Sequence, residues 1–104
     1  MRTFICAILL FFTFNASAQK FTIVQFNAKW NDGHTVKIPN IKGVDVKFAL
    51  LEDQPKHIRE KIKSVPLIIL YRDGQPVKQW NADLSFKLNI TEEDILRALF
   101  EASK

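Results

Sequence analysis

Val65-Pro66-Leu67-Ile68-Ile69-Leu70-Tyr71-Arg72-Asp73-Gly74 decides how this chain folds. Pro66 to Tyr71 is a continuous apolar run, the pattern of a central strand. Asp73-Gly74 follows as a two-residue hairpin turn, because both residue types tolerate the left-handed backbone that such a turn demands. Val77-Lys78-Gln79-Trp80 then pairs back, and Pro76, which lacks a backbone donor, confines this second strand to an edge or a strand start.

Working upstream, Ile58, Ile62 and Val65 fall at i, i+4 and i+7, while Lys56, Arg59, Lys61 and Lys63 take the other faces. That spacing predicts a short amphipathic helix, capped by Asp53, with Pro55 in its first turn and an end near Ser64. Val44 to Leu50 begins by alternating apolar and polar residues and then becomes wholly apolar, and Phe21 to Phe26 is β-branched and aromatic; both read as strands. Between them, Asn27 to Gly43 keeps no period and holds the turn formers Asn31-Asp32-Gly33, Pro39-Asn40 and Gly43, which predicts an irregular connection with at most a short helical turn. Downstream, Thr91 is placed to cap a final helix, with Glu92, Glu93 and Asp94 at the positive end of its dipole. Ile90 and Ile95 are spaced as a hydrophobic staple, and Ile95, Leu96, Leu99 and Phe100 form an apolar stripe. The order β, connection, β, α, β, β, α predicts an α/β fold with a mixed four-stranded sheet and flanking helices. The strand–helix–strand pattern from Leu50 to Leu70 predicts a parallel crossover.

The chain has 104 residues, 47% hydrophobic and 25% charged, with nine phenylalanines and a net charge of +4. That is one folded domain and not a disordered chain. Met1-Arg2, the apolar run Thr3 to Phe14 and the small residues Ala16-Ser17-Ala18 have the layout of a secretory signal peptide, with cleavage expected after Ala18. The run is shorter than the roughly 20 residues that span a bilayer, which argues against an uncleaved anchor. The expected products are a leader, residues 1–18, and a mature domain, residues 19–104, exported to a periplasm or secreted, with no membrane attachment after cleavage. Loss of Arg2 leaves 14 basic against 11 acidic residues in the mature chain, or +3. The single cysteine, Cys6, lies in the leader, where it reads as a small hydrophobe discarded with it. The mature chain therefore carries no disulfide framework and relies on its core alone.

Val24-Gln25-Phe26-Asn27-Ala28-Lys29-Trp30, together with the proline-strand-glycine block that starts at Val65, resembles the thioredoxin-like family over nearly the whole mature chain, Phe21 to about Ala102. The resemblance implies a thioredoxin-like fold with a cis Val65-Pro66 bond, and a strand that runs up to Trp30. The departures from the family's pattern are chemical. Where the family carries two cysteines separated by two residues, this chain has Asn31-Asp32-Gly33-His34, and the family's buried acidic residue is matched by Gln25. The segment between Trp30 and Val44 is about ten residues shorter than the family's active-site helix, which implies a helix shortened or replaced by loop. Thiol–disulfide exchange needs an attacking thiolate and a resolving thiol, and the mature chain has neither.

The expected function is accordingly that of an exported, redox-inactive protein- or peptide-binding module and not an enzyme, with no catalytic residue and no cofactor. By resemblance its binding surface comprises Trp30, Asn31, His34, Val65 and Pro66. A second reading is an accessory of thiol–disulfide redox homeostasis, an oxidoreductase-type role that borrows a cysteine from a partner or a thiol cofactor. His34 and His57, the two histidines, lie on different elements and carry no metal-ligand spacing. His57 reads as a helix-surface residue, and His34 taken alone as an exposed loop residue. Asp32, Asp73 and Asp83 sit in turn contexts, where acidic side chains are ordinary. The basic positions of the first helix are spread around it as a solvated face, so no nucleic-acid partner is expected. Trp80 is expected in the core and Trp30 at the surface. Asn89-Ile90-Thr91 fits a glycosylation acceptor but reads here as the approach to a helix cap. No oligomeric state follows from the pattern.

Overall fold

The computed structural model of the chain describes residues 19–104; the expected leader, with Cys6, lies outside the described residues. Four strands, β1 (Phe21–Asn27), β2 (Val44–Leu50), β3 (Leu67–Arg72) and β4 (Gln75–Asn81), form one mixed sheet in the order β2-β1-β3-β4. β1 and β2 run parallel, with Phe21 opposite Val44 and Asn27 opposite Leu50. β3 lies antiparallel to β1 on its other side, and β4 closes the hairpin as the second edge. Asp73 and Gly74 both hold positive φ, 53° and 85°, as a tight hairpin turn requires. Pro76 sits on the β4 edge strand, as its missing donor dictates.

The expected parallel crossover between Leu50 and Leu70 does not form; the parallel pair is β1 and β2. The helix between β2 and β3, α1 (Lys56–Lys61), has six residues. At 1.5 Å per residue it spans about 9 Å, against about 23 Å for a seven-residue strand. It cannot carry the chain back along the sheet, so β3 starts at the end where β2 stops and runs the opposite way. The sixteen residues from Ala28 to Gly43 make the return instead, with a 3₁₀ helix over Lys29–His34 and an extended stretch after it. α1 is also shorter than its spacing implies, ending at Lys61, and its N-cap is Pro55, not Asp53. Asp53 belongs to a separate 3₁₀ turn, Leu51–Asp53, which the Gln54 N–H closes onto the Leu51 carbonyl at 3.1 Å.

The core is Ile23, Ile68, Leu70 and Ile95, with Val36, Ile38, Ile41, Trp80, Leu88 and Ile90 packed around it. It lies between one face of the sheet and the last helix, α2 (Glu92–Ala102). α2 begins with a reciprocal cap: the Asp94 N–H donates to Thr91 Oγ1 at 3.1 Å and the Thr91 N–H donates to Asp94 Oδ2 at 3.0 Å. Ile95, Ala98, Leu99 and Ala102 face the core, whereas Leu96 and Phe100 are exposed. The expected stripe is thus rotated, because a residue one step along a helix turns about 100° from its neighbour. The Arg72 guanidinium donates to the Ala102 carbonyl at 2.7 Å, which ties the end of α2 to the end of the sheet where β1 starts. Among the described residues no helix is long and apolar enough to cross a membrane.

Candidate functional site

The opposite end of the sheet, where β1 stops, carries a buried polar cluster. Asn27, the last residue of β1, has no exposed surface. Its amide nitrogen donates to the Asn31 carbonyl at 3.1 Å and to Thr35 Oγ1 at 3.0 Å. Asn31, 5% exposed, sits at a kink in the 3₁₀ helix, with φ −110° and ψ 18°. Its Nδ2 lies 3.0 Å from Asn27 Oδ1, 3.2 Å from the Val65 carbonyl and 3.2 Å from the Phe86 carbonyl, so two hydrogens serve three acceptors. One side chain thereby joins the end of β1, the loop before β3 and the loop after β4. A buried amide with this many partners is satisfied in place.

His34 completes the cluster from the outside. Its Nδ1 lies 3.0 Å from Asn31 Oδ1 and 3.0 Å from the Phe86 carbonyl. Both are acceptors, so Nδ1 carries the hydrogen and Nε2 of the neutral ring is left as an acceptor. Next to it runs an open groove of about 410 Å³, lined by His34, Lys37, Lys87 and Ile90 among others and by no carboxylate.

Phe86 reaches this point through a knot made by Asp83. The carboxylate accepts from the Ser85 N–H at 2.8 Å, the Ser85 hydroxyl at 3.0 Å and the Lys87 N–H at 3.2 Å. The Asp83 N–H donates to the Lys87 carbonyl at 2.9 Å, which closes the loop and holds Phe86 at a φ of 60°. The Lys87 and Ser85 donors hold the Asp83 carboxyl below its ordinary value of 3.8. The Phe86 ring meets Trp30 edge to face, with centroids 4.9 Å apart and planes at 89°. Trp30 is nonetheless 65% exposed. Behind it the Lys29 N–H donates to Glu52 Oε2 at 2.9 Å, and that bond lowers the Glu52 pKa from 4.5.

The five residues expected in a binding surface therefore divide. Trp30 and His34 are exposed, while Asn31, Val65 and Pro66 are buried beneath them. The Val65-Pro66 bond is cis, as the resemblance implies. Gln25 is buried too, and grips the chain opposite by a pair of bonds: its Nε2 donates to the Val36 carbonyl at 2.9 Å and its Oε1 accepts from the Val36 N–H at 2.8 Å. Trp80 is half-buried against the core, as expected, and His57 is exposed on α1. Two residues of the cluster, Asn27 and Phe86, carry no local signal that places them there. Asp83 does more than an ordinary turn residue, and the sequence signal for it is Asp83-x-Ser85, whose side chains can close a turn on themselves. Among the described residues no three His, Cys, Asp or Glu side chains are grouped to hold a metal. No protein-family model matches the chain, and no curated protein matches it closely enough to count as a relative.

Proposed function

We propose that residues 19–104 are an exported, thioredoxin-like domain without redox chemistry, which binds a protein or peptide segment at its Trp30 end. The strand order and the parallel β1–β2 pair are compatible with that fold. The reading rests on one observation: Trp30 stands 65% exposed yet is braced edge-on by Phe86 over a fully paired polar base. A tryptophan already fixed in orientation loses little freedom when a partner covers it, and tryptophan is enriched among residues that dominate binding. Asn31 holds the place of an attacking thiol, is not nucleophilic, and has its amide committed to three neighbours. The occupant that fits places an apolar side chain on Trp30, a hydrogen-bond donor on His34 Nε2, and acidic groups along Lys37 and Lys87.

Selection of a displayed random-peptide library on the purified protein, followed by fluorescence titration of the peptides recovered, tests this. Trp30→Ala is expected to weaken binding by roughly thirtyfold, about 2 kcal/mol. Phe100→Ala removes an equally exposed ring on α2, far from Trp30, and is expected to change nothing. No selectable peptide, or equal loss in the two variants, defeats the reading. Pro66 is no substitute probe, because it is buried and its replacement tests the fold.

A further inference from the structure

The two edges of the sheet are built differently. β4 carries Pro76 and a register irregularity opposite Leu70 and Tyr71, features that discourage pairing with another strand. β2 has neither: it keeps seven unbroken ladder pairs with β1, and nothing pairs with its outer side among the described residues. Asp45, Val46, Lys47 and Phe48, four in succession, are exposed, with Val46 at 40% and Phe48 at 51%. Val44, Val46 and Phe48 stand on the sheet face that carries Phe21, Ile23 and Gln25; Asp45 and Lys47 stand on the other.

We infer that β2 is a self-association edge whose occupant is β2 of a second copy, paired antiparallel about a two-fold axis at Val46. A two-fold axis normal to the sheet keeps each face on its own side, so only registers that oppose residues of one face are allowed. Centring on Asp45 opposes two aspartates, and centring on Lys47 opposes two lysines; both place like charges in direct contact across the strands. Centring on Val46 opposes Asp45 with Lys47 of the second copy, twice. It also opposes Val44 with Phe48 of the second copy, twice, and Val46 with itself. The charges that would repel an unrelated flat edge become matched, and the exposed Phe48 and Val46 are covered. The ion pair that Asp45 makes among the described residues, with Lys20 at 3.8 Å, joins two exposed side chains and does not compete strongly. The result is one continuous eight-stranded sheet, with both α2 helices on the same face. The contact is one strand per copy, so the dimer forms reversibly with rising concentration.

Sedimentation equilibrium of the purified protein over a rising concentration series is expected to show mass moving from monomer toward dimer. Asp45→Lys alone, or Lys47→Asp alone, is expected to weaken self-association about tenfold or more, since two attractive pairs become two repulsive ones. The double exchange, Asp45→Lys with Lys47→Asp, restores it. Mixing the two single variants is expected to give a heterodimer, because each then meets the opposite charge. Circular dichroism checks that every variant keeps its fold; Lys47→Asp, at an exposed position with no ion pair in the described chain, carries the test if Asp45→Lys does not. A wild-type chain that stays monomeric throughout, or a dimer indifferent to both reversals, overturns the inference. A dimer that the single reversals weaken but that neither the double exchange nor the mixture restores overturns the Val46 register.

Discussion

Asn31 is the residue on which three segments converge, and its replacement measures how much one amide holds. Asn31→Ala leaves Asn27 Oδ1 and the Val65 carbonyl without this donor where both bonds are buried, while the part-buried Phe86 carbonyl keeps His34 Nδ1. Unmet buried acceptors of this kind set an expected cost of about 2–3 kcal/mol, read as a lower urea midpoint. Asn31→Asp is expected to cost more, since a carboxylate would face three oxygens with no hydrogen to offer. The family resemblance located this position at the end of β1 but gave no sign that it is buried. Burial follows from contacts with Val65 and Phe86, 34 and 55 residues away in the chain, and no local pattern carries such a contact. Gln25 shows the same limit: its residue type was plain, whereas its grip on Val36 was not.

At the scale of elements, two proposed caps had opposite fates for a local reason. Thr91 caps α2 because Asp94, three residues on, returns the bond, and Ile90 and Ile95 both pack on the core beside it. All of that lies within the six residues from Ile90 to Ile95, so it was legible. Asp53 was an equally good cap by residue type, but β2 ends at Leu50 and the chain turns at once. Its neighbour Glu52 is committed to the Lys29 N–H, and Asp53 is spent in the turn before α1 begins. Thr91→Ala is accordingly expected to lower stability by about 1 kcal/mol. Asp53→Ala is expected to stay within about 0.5 kcal/mol of the parent chain. Paired thermal or urea unfolding curves separate the two; a larger effect at Asp53 would show that the capping assignment is misplaced.

For the whole molecule, the sheet's composition was legible and its direction of travel was not, because the reach of a six-residue helix decides whether a strand returns parallel. The end where that turn occurs also depends on charge. Glu52 holds the Lys29 N–H beside Trp30, Asp83 holds the loop that presents Phe86, and Asp94 caps α2. All three carboxyls are lowered by backbone N–H donors, from 4.5 for Glu52 and from 3.8 for each aspartate. A group whose folded pKa lies below its unfolded one contributes stability that is present above the unfolded value and is lost as pH falls through the folded one. The thermal midpoint is therefore expected to hold steady down to about pH 5 and to fall progressively below about pH 4. Asp83→Asn keeps an acceptor in place but removes the proton-binding site, so its midpoint is expected to start lower at neutral pH and to decline less on acidification. Because Glu52 and Asp83 both serve the Trp30 end, acid is also expected to weaken peptide binding before it unfolds the sheet, as fluorescence titration and far-ultraviolet dichroism on the same samples would show. Parallel pH curves for Asp83→Asn and the parent chain would remove Asp83 from the groups that set the acid limit and, with it, the account of how Phe86 is held beneath Trp30.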